Sequence, residues 1–115
     1  AQLLELSGVC AIIVDTIPER LDIARSCGAT HIVNASIGDA VEHVMDLTDG
    51  GAEYVFECTG IPPVVASAPH YAGRSAQIIL VGSPRGEFSS LSLWLLVGCL
   101  GLRFGHSPNE KPDRE

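Results

Sequence analysis

Apolar residues along the chain fall into short continuous runs that alternate with stretches of helical spacing. Residues 10–14 form a run of cysteine, alanine, two isoleucines and a valine that Asp15 ends, the pattern of a strand buried on both faces. Runs at 30–33, 53–57 and 77–81 repeat it. Between the first two, Pro18 suits the first turn of a helix with Leu21 and Ala24 on one face and Gly28 as its stop. Glu19 and Asp22 lie early in that helix and Arg25 late, which complements its dipole. Ser36 and Asp39 form a capping-box-like S-x-x-D before a helical face of Val41, Val44, Met45 and Thr48, and Asp49-Gly50-Gly51 breaks it.

At the start of the chain, leucines at 3, 4 and 6 followed by Gly8 read as the last turns of a helix with a glycine cap, so the chain opens inside an element. Pro62 and Pro63 open a further short helix to about Ala68, where Pro69 ends or kinks it. After Gly82-Ser83-Pro84, residues 91–97 read as a short helix and 100–104 as a last strand, a division that periodicity alone does not settle. The tail 108–115 is polar. Solid apolar strands alternating with helices predict an α/β fold with a parallel sheet covered on both faces.

Composition narrows the function. Of 115 residues 46% are apolar and 18% charged, which is enough to build one core. The net charge of −7 repels phosphate backbones and anionic lipids, which excludes nucleic acid and membrane surfaces as partners. The longest apolar stretch, 91–102, is interrupted by Ser92, Gly98 and Gly101 and falls short of the ~18–20 residues that span a bilayer. Cys10, Cys27, Cys58 and Cys99 form no C-x-x-C pair and read as reduced thiols. Residues 1–8 carry Glu5 and no basic region, so a cytoplasmic setting is expected. His31, His43 and His70 stand at no spacing suited to paired metal ligation.

In parallel sheets, ligands bind at the carboxyl ends of strands, here Asp15, Asn34, Cys58-Thr59-Gly60, Gly82-Ser83 and Gly105-His106. An aspartate ending the second strand of a dinucleotide fold accepts hydrogen bonds from both adenosine ribose hydroxyls, and its charge repels a 2′-phosphate. Asp15 therefore argues for NAD over NADP, although alone it is equally a polar turn residue before a helix.

The neighbours of Asp15 extend the argument. D-x-x-x-x-R-L-x-x-A-x-x-x-G-A-T-H at 15–31, G-G-A-E-Y-V-F-E-C-T-G at 50–60 and I-I-L-V-G-S-P at 78–84 together resemble the zinc-type medium-chain alcohol dehydrogenases. The resemblance implies a Rossmann-type doubly wound parallel sheet lacking the first strand and its glycine-rich turn, with residues 1–107 a partial dinucleotide-binding domain. No G-x-G-x-x-G occurs in the chain. In the family that turn, and the central strand of the 3-2-1-4-5-6 order that feeds it, would lie just upstream. By the same resemblance Asp15 holds the adenosine ribose, Arg20 sits against it, and Cys58 and Thr59 line the nicotinamide side. Val81 and Gly82 offer their backbone to the nicotinamide ring and carboxamide, and the backbone at Gly105-His106 meets the carboxamide. Each has a plainer reading beside it: Arg20 as a solvated helix charge, Cys58 as packing, Gly82 as a turn glycine.

The function implied is the cofactor-binding part of an NAD-dependent zinc-type alcohol or polyol dehydrogenase, which moves a hydride between an alcohol and NAD and is inactive as the isolated chain. Zinc would belong to the parent enzyme, with no ligands in this chain. The partners implied are NAD, a small alcohol substrate and further copies of the protein, with 91–102 as a candidate dimer surface. A non-catalytic nucleotide-binding or interaction module derived from the same fold is the alternative. A methyltransferase-like domain fits the F-E-C-T-G and I-L-V-G-S-P turns poorly. A phosphoacceptor receiver needs a lysine at a strand end, and the only lysine is Lys111.

Overall fold

The structure is a computed structural model that describes residues 1–82 and the backbone of Arg103–Phe104. The expected helix at 91–97, the proposed dimer surface, Gly105-His106 and the tail lie outside the described residues. The chain divides into two compact units, Ala1–Gly50 and Gly51–Glu115.

In the first unit, α1 (Gln2–Leu6), β1 (Ile12–Asp15), α2 (Pro18–Ser26), β2 (His31–Asn34) and α3 (Ala40–Thr48) follow in order. β1 and β2 pair in parallel, Ile12 opposite His31 through Asp15 opposite Asn34. Pro18 opens α2 as expected, because its missing N–H costs nothing in the first turn. α2 packs against both strands and α3 against β2. Leu21, Val33 and Val44 are buried there, each contributing about 1.5–3 kcal/mol through removal of apolar surface from water.

Two expectations are corrected in this unit. The third helix begins at Ala40, not at a capping box led by Ser36: the Asp39 carboxylate accepts hydrogen bonds from the amides of Val41 and Glu42 at 2.9 and 3.1 Å. Ser36 instead donates its amide to the Asn34 side chain at 2.9 Å, a local turn that competes with helix initiation. β1 is also less buried than its solid apolar run predicts, with Val14 36% exposed. The reason is that β1 is an edge strand: its only sheet neighbour among the described residues is β2.

In the second unit, β3 (Ala52–Glu57) leads to α4 (Pro62–Ser67), a 3-10 turn at Ala68–Tyr71, β4 (Ala72–Leu80) and β5 (Arg103–Phe104). These strands form a separate parallel sheet in the order β3-β4-β5. Pro69 converts α4 to the 3-10 turn rather than ending the coil outright, since proline fits the first positions of a new turn. β4 begins earlier than the apolar run at 77–81 suggests. Its pairing with β3 is interrupted between Ala52 and Tyr54, where Ser75 takes a left-handed φ of 61°. Val65, Ala68, Ile78 and Leu80 form the core of this unit, with Val55 and Ala72 packed against it.

The fold is thus α/β with parallel strands throughout, of the Rossmann type, and the strands fall into two sheets rather than one. Among the described residues β1 and β3 are both edge strands.

Candidate functional site

Of the residues singled out in sequence, those the structure describes gather at the carboxyl ends of strands, in two clusters, one per unit, while Gly105-His106 lies outside the described residues. Asp15 is the last residue of β1, and its backbone carbonyl accepts a hydrogen bond from the amide of Ala35, which holds the strand end against the start of the next loop. Its Oδ1 accepts the amides of Thr16 and Ile17 at 2.7 and 3.0 Å. These bonds fix the carboxylate ahead of α2, which itself has no side-chain cap. Oδ2 faces Arg20 Nη1 at 3.9 Å, with the arginine side chain 67% and the aspartate 27% exposed. A pair this exposed adds at most ~1 kcal/mol to stability. Its use lies elsewhere: one carboxylate oxygen is committed to the backbone, while the other sits beside a solvated cation and can take ligand hydroxyls.

The second cluster is built on the turns after β3 and β4. The backbone carbonyl of Glu57 accepts the amides of both Val81 and Gly82, at 2.8 and 3.0 Å, so the two turns are stitched at one atom. Gly82 packs so closely on the 58–60 turn that a Cβ there would lie 2.4 Å from Gly60 N and 2.9 Å from the carbonyl carbons of Cys58 and Thr59. Close approach of backbone, not an unusual φ, is what requires glycine at 82. Gly60 is buried and takes a φ of 65°, which turns the chain toward α4.

Cys58, Thr59 and Val81 are exposed at this end of the sheet. The Cys58 thiol is held above the ordinary cysteine value, first by partial burial and then by the neighbouring Glu57 carboxylate, which disfavours its thiolate. The Thr59 hydroxyl donates to Glu57 and accepts the amide of Ile61 at 3.1 Å, so its proton is already in use within the turn. Asn34, also at a strand end, turns its side chain onto Ser36 and contributes no open acceptor of the Asp15 kind. Sequence reasoning passed over Glu57, which is only 4% exposed. Its signal was there, an acidic residue closing an apolar strand before Thr-Gly.

Among the described residues no three His, Cys, Asp or Glu side chains come together as a metal would need. For a nicotinamide dinucleotide the fitting feature is Asp15, which offers an oriented carboxylate; the space beside Gly82 is filled by the 58–60 turn and not left for a ligand. No helix among the described residues is long and apolar enough to cross a membrane.

Parallel strands alternating with helices, with an acidic side chain at the end of β1 and close-packed glycine turns after β3 and β4, are an α/β arrangement of the Rossmann class. Within that class the chain belongs to the zinc-binding dehydrogenase family, whose profile matches residues 1–100. It is 36% identical over 74 residues to a sorbitol dehydrogenase of Bacillus subtilis, a stretch covering 64% of this chain and 21% of that protein. The crystal structure of an alcohol dehydrogenase zinc-binding domain protein from Burkholderia ambifaria superposes with a TM-score of 0.68 at 34% identity, over 83% of this chain and 26% of that one. A zinc-binding dehydrogenase of Sinorhizobium meliloti 1021, solved with NADP bound, gives a TM-score of 0.70 at 25% identity, over 90% of this chain and 31% of that one. The chain spans about a quarter of the length of the curated relatives it matches.

Proposed function

We propose that this chain is the cofactor-binding part of an NAD-dependent zinc-type alcohol or polyol dehydrogenase, residues 1–107 being a partial dinucleotide-binding domain. The observation that carries the reading is Asp15: a carboxylate at the end of β1, oriented by two amides through one oxygen and left with the other toward Arg20. That oxygen is suited to the hydroxyls of an adenosine ribose, and its charge disfavours a 2′-phosphate. Arg20 would lie along the same ribose. Cys58, Thr59, Val81 and Gly82 would meet the nicotinamide side, Gly82 through its backbone. When bound, the nicotinamide ring would supply the carbon that accepts or gives up a hydride.

The chain's own residues bind and orient; among the described residues none is placed to activate an alcohol, and we assign that task to zinc ligands elsewhere in a parent enzyme. The 115 residues contain no glycine-rich turn to cradle a pyrophosphate, so their affinity for NAD is weak and they have no dehydrogenase activity alone. The test is an NMR titration of the chain with NAD and with NADP. NAD should bind no more tightly than the millimolar range, shift the amides at 15–20, and be preferred to NADP. Micromolar or tighter binding by calorimetry would overturn the claim of an incomplete site. A preference for NADP would overturn the role of Asp15.

A further inference from the structure

Glu57 is a charged residue buried to 4% exposure, and nothing in the proposed cofactor contacts uses its side chain. A carboxylate taken out of water is costly unless donors surround it. Among the described residues its donors come from Thr59 and Gly60, two and three positions on. Oε1 accepts the amide of Thr59 at 2.8 Å and the Thr59 hydroxyl, and Oε2 accepts the amide of Gly60 at 3.0 Å. Among the described residues Glu57 forms no ion pair. The arrangement continues outward: the Thr59 hydroxyl takes the amide of Ile61, the N-cap of α4, and the Glu57 carbonyl takes the amides of Val81 and Gly82. One residue therefore bonds to the turn after β3 through its side chain and to the turn after β4 through its main chain.

We infer that Glu57 is the positioning residue of the nicotinamide-side turn: its carboxylate, rather than packing, fixes the backbone of residues 58–60 where they lie against Gly82. What the turn is for rests on the function proposed above. That the carboxylate sets its geometry does not. Glutamine at 57 keeps size and shape but has one acceptor oxygen, so its amide nitrogen would face either Gly60 N–H or the two Thr59 donors. Hydrogen bonds to a charged acceptor are the strong ones, so losing one arm should be felt at its own donor first.

The test uses the 115-residue chain with Glu57→Gln, Thr59→Val and Thr59→Ser, read by proton NMR and amide hydrogen exchange. In Glu57→Gln the Thr59 and Gly60 amides should exchange roughly 10- to 100-fold faster, with the β3-β4 ladder amides and the β1-β2 sheet unchanged. The Thr59 amide proton should also move upfield as its charged acceptor is lost. Thr59→Val should give a smaller increase at the same amides, and Thr59→Ser, which keeps the hydroxyl, should restore the wild-type pattern. Unchanged exchange at 59 and 60 overturns the inference. So does a uniform increase throughout the second unit, which would make Glu57 a stability residue only. If Glu57→Gln does not fold, the Thr59 pair decides, since both leave the buried carboxylate in place; indistinguishable Val and Ser variants then refute it. The wild-type NAD titration is scored separately: silence at residues 58–60 refutes the cofactor reading, whereas the exchange contrast alone decides Glu57.

Discussion

Substituting alanine at Gly82 adds a single carbon and should be among the more damaging changes open to the chain. That carbon would sit 2.4 Å from Gly60 N and 2.9 Å from two carbonyl carbons, so ordinary contact of 3.4 Å or more requires backbone to move about 1 Å. All three neighbours are backbone atoms, so no side chain can rotate to make room. The movement has a direction, since Gly82 N is held at 3.0 Å by the Glu57 carbonyl and the 58–60 turn is held by the Glu57 carboxylate. Either the amide bond to Glu57 lengthens or the turn shifts outward, and overpacking of this kind costs about 1–3 kcal/mol. With a urea m-value of about 1–3 kcal/mol/M, the unfolding midpoint should fall by roughly 1 M or somewhat less. The paired assay is an amide spectrum, in which the largest shifts should lie at residues 58–60 and 81–82 and the β1-β2 unit should be unmoved. A Gly82→Ala chain with an unaltered midpoint and unaltered 58–60 resonances would refute the close-packing argument and return Gly82 to a simple turn residue.

Three further outcomes follow from other parts of the structure. Asp39→Ala should cost about 1 kcal/mol in equilibrium denaturation and fray the start of α3, because it removes the acceptor of two helix amides, whereas Ser36→Ala should have little effect on that helix. Ser75→Gly should raise stability by about 1 kcal/mol, since glycine adopts a φ of 61° without the steric penalty that serine carries there; a loss of stability would show that the serine side chain outweighs that strain. For Cys58, with the other cysteines replaced by serine, the pH profile of alkylation should lie on the alkaline side of the ordinary value of about 8.5, and Glu57→Gln should move it back toward acid. As pH rises, the unfolded chain ionises this thiol first, so its contribution to stability is intact below the ordinary value and is lost as pH climbs through the raised one.

The order of elements was legible because strands and helices leave different periods in the sequence, and Pro18, Asp49-Gly50 and Pro62 punctuate them where they occur in space. What was not legible has physical causes. The irregular start of β4 carries Gly73, Arg74 and Ser75 without apolar alternation, so pairing with β3 supplies there what periodicity does not show. Helix α3 was expected to start from a capping box led by Ser36, but Asn34 draws Ser36 into a turn and Asp39 is the N-cap, which local spacing does not record. Exposure of Val14, Tyr54 and Phe56 follows from β1 and β3 being sheet edges, a property of neighbours that no local pattern records.

The candidate site shows the same limit most sharply in its two carboxylates. Asp15 and Glu57 each close an apolar strand and precede a short loop and a helix, so in sequence they are nearly equivalent. Their side chains differ by one methylene, and the hydrogen bonds differ by one residue in step: Asp15 reaches the amides one and two positions on, Glu57 those two and three positions on. The shorter side chain satisfies its local donors with a single oxygen and keeps the second at the surface, facing Arg20. The longer one folds back fully, fills both oxygens from its own turn, and is buried by the turn it shapes. Exchanging the two residue types should therefore fail at both places. Glutamate at 15 would misplace the open oxygen, and aspartate at 57 would fall short of Gly60. A chain carrying Asp15→Glu and Glu57→Asp that kept wild-type amide exchange at residues 16–17 and 59–60 would show that side-chain length does not separate their roles.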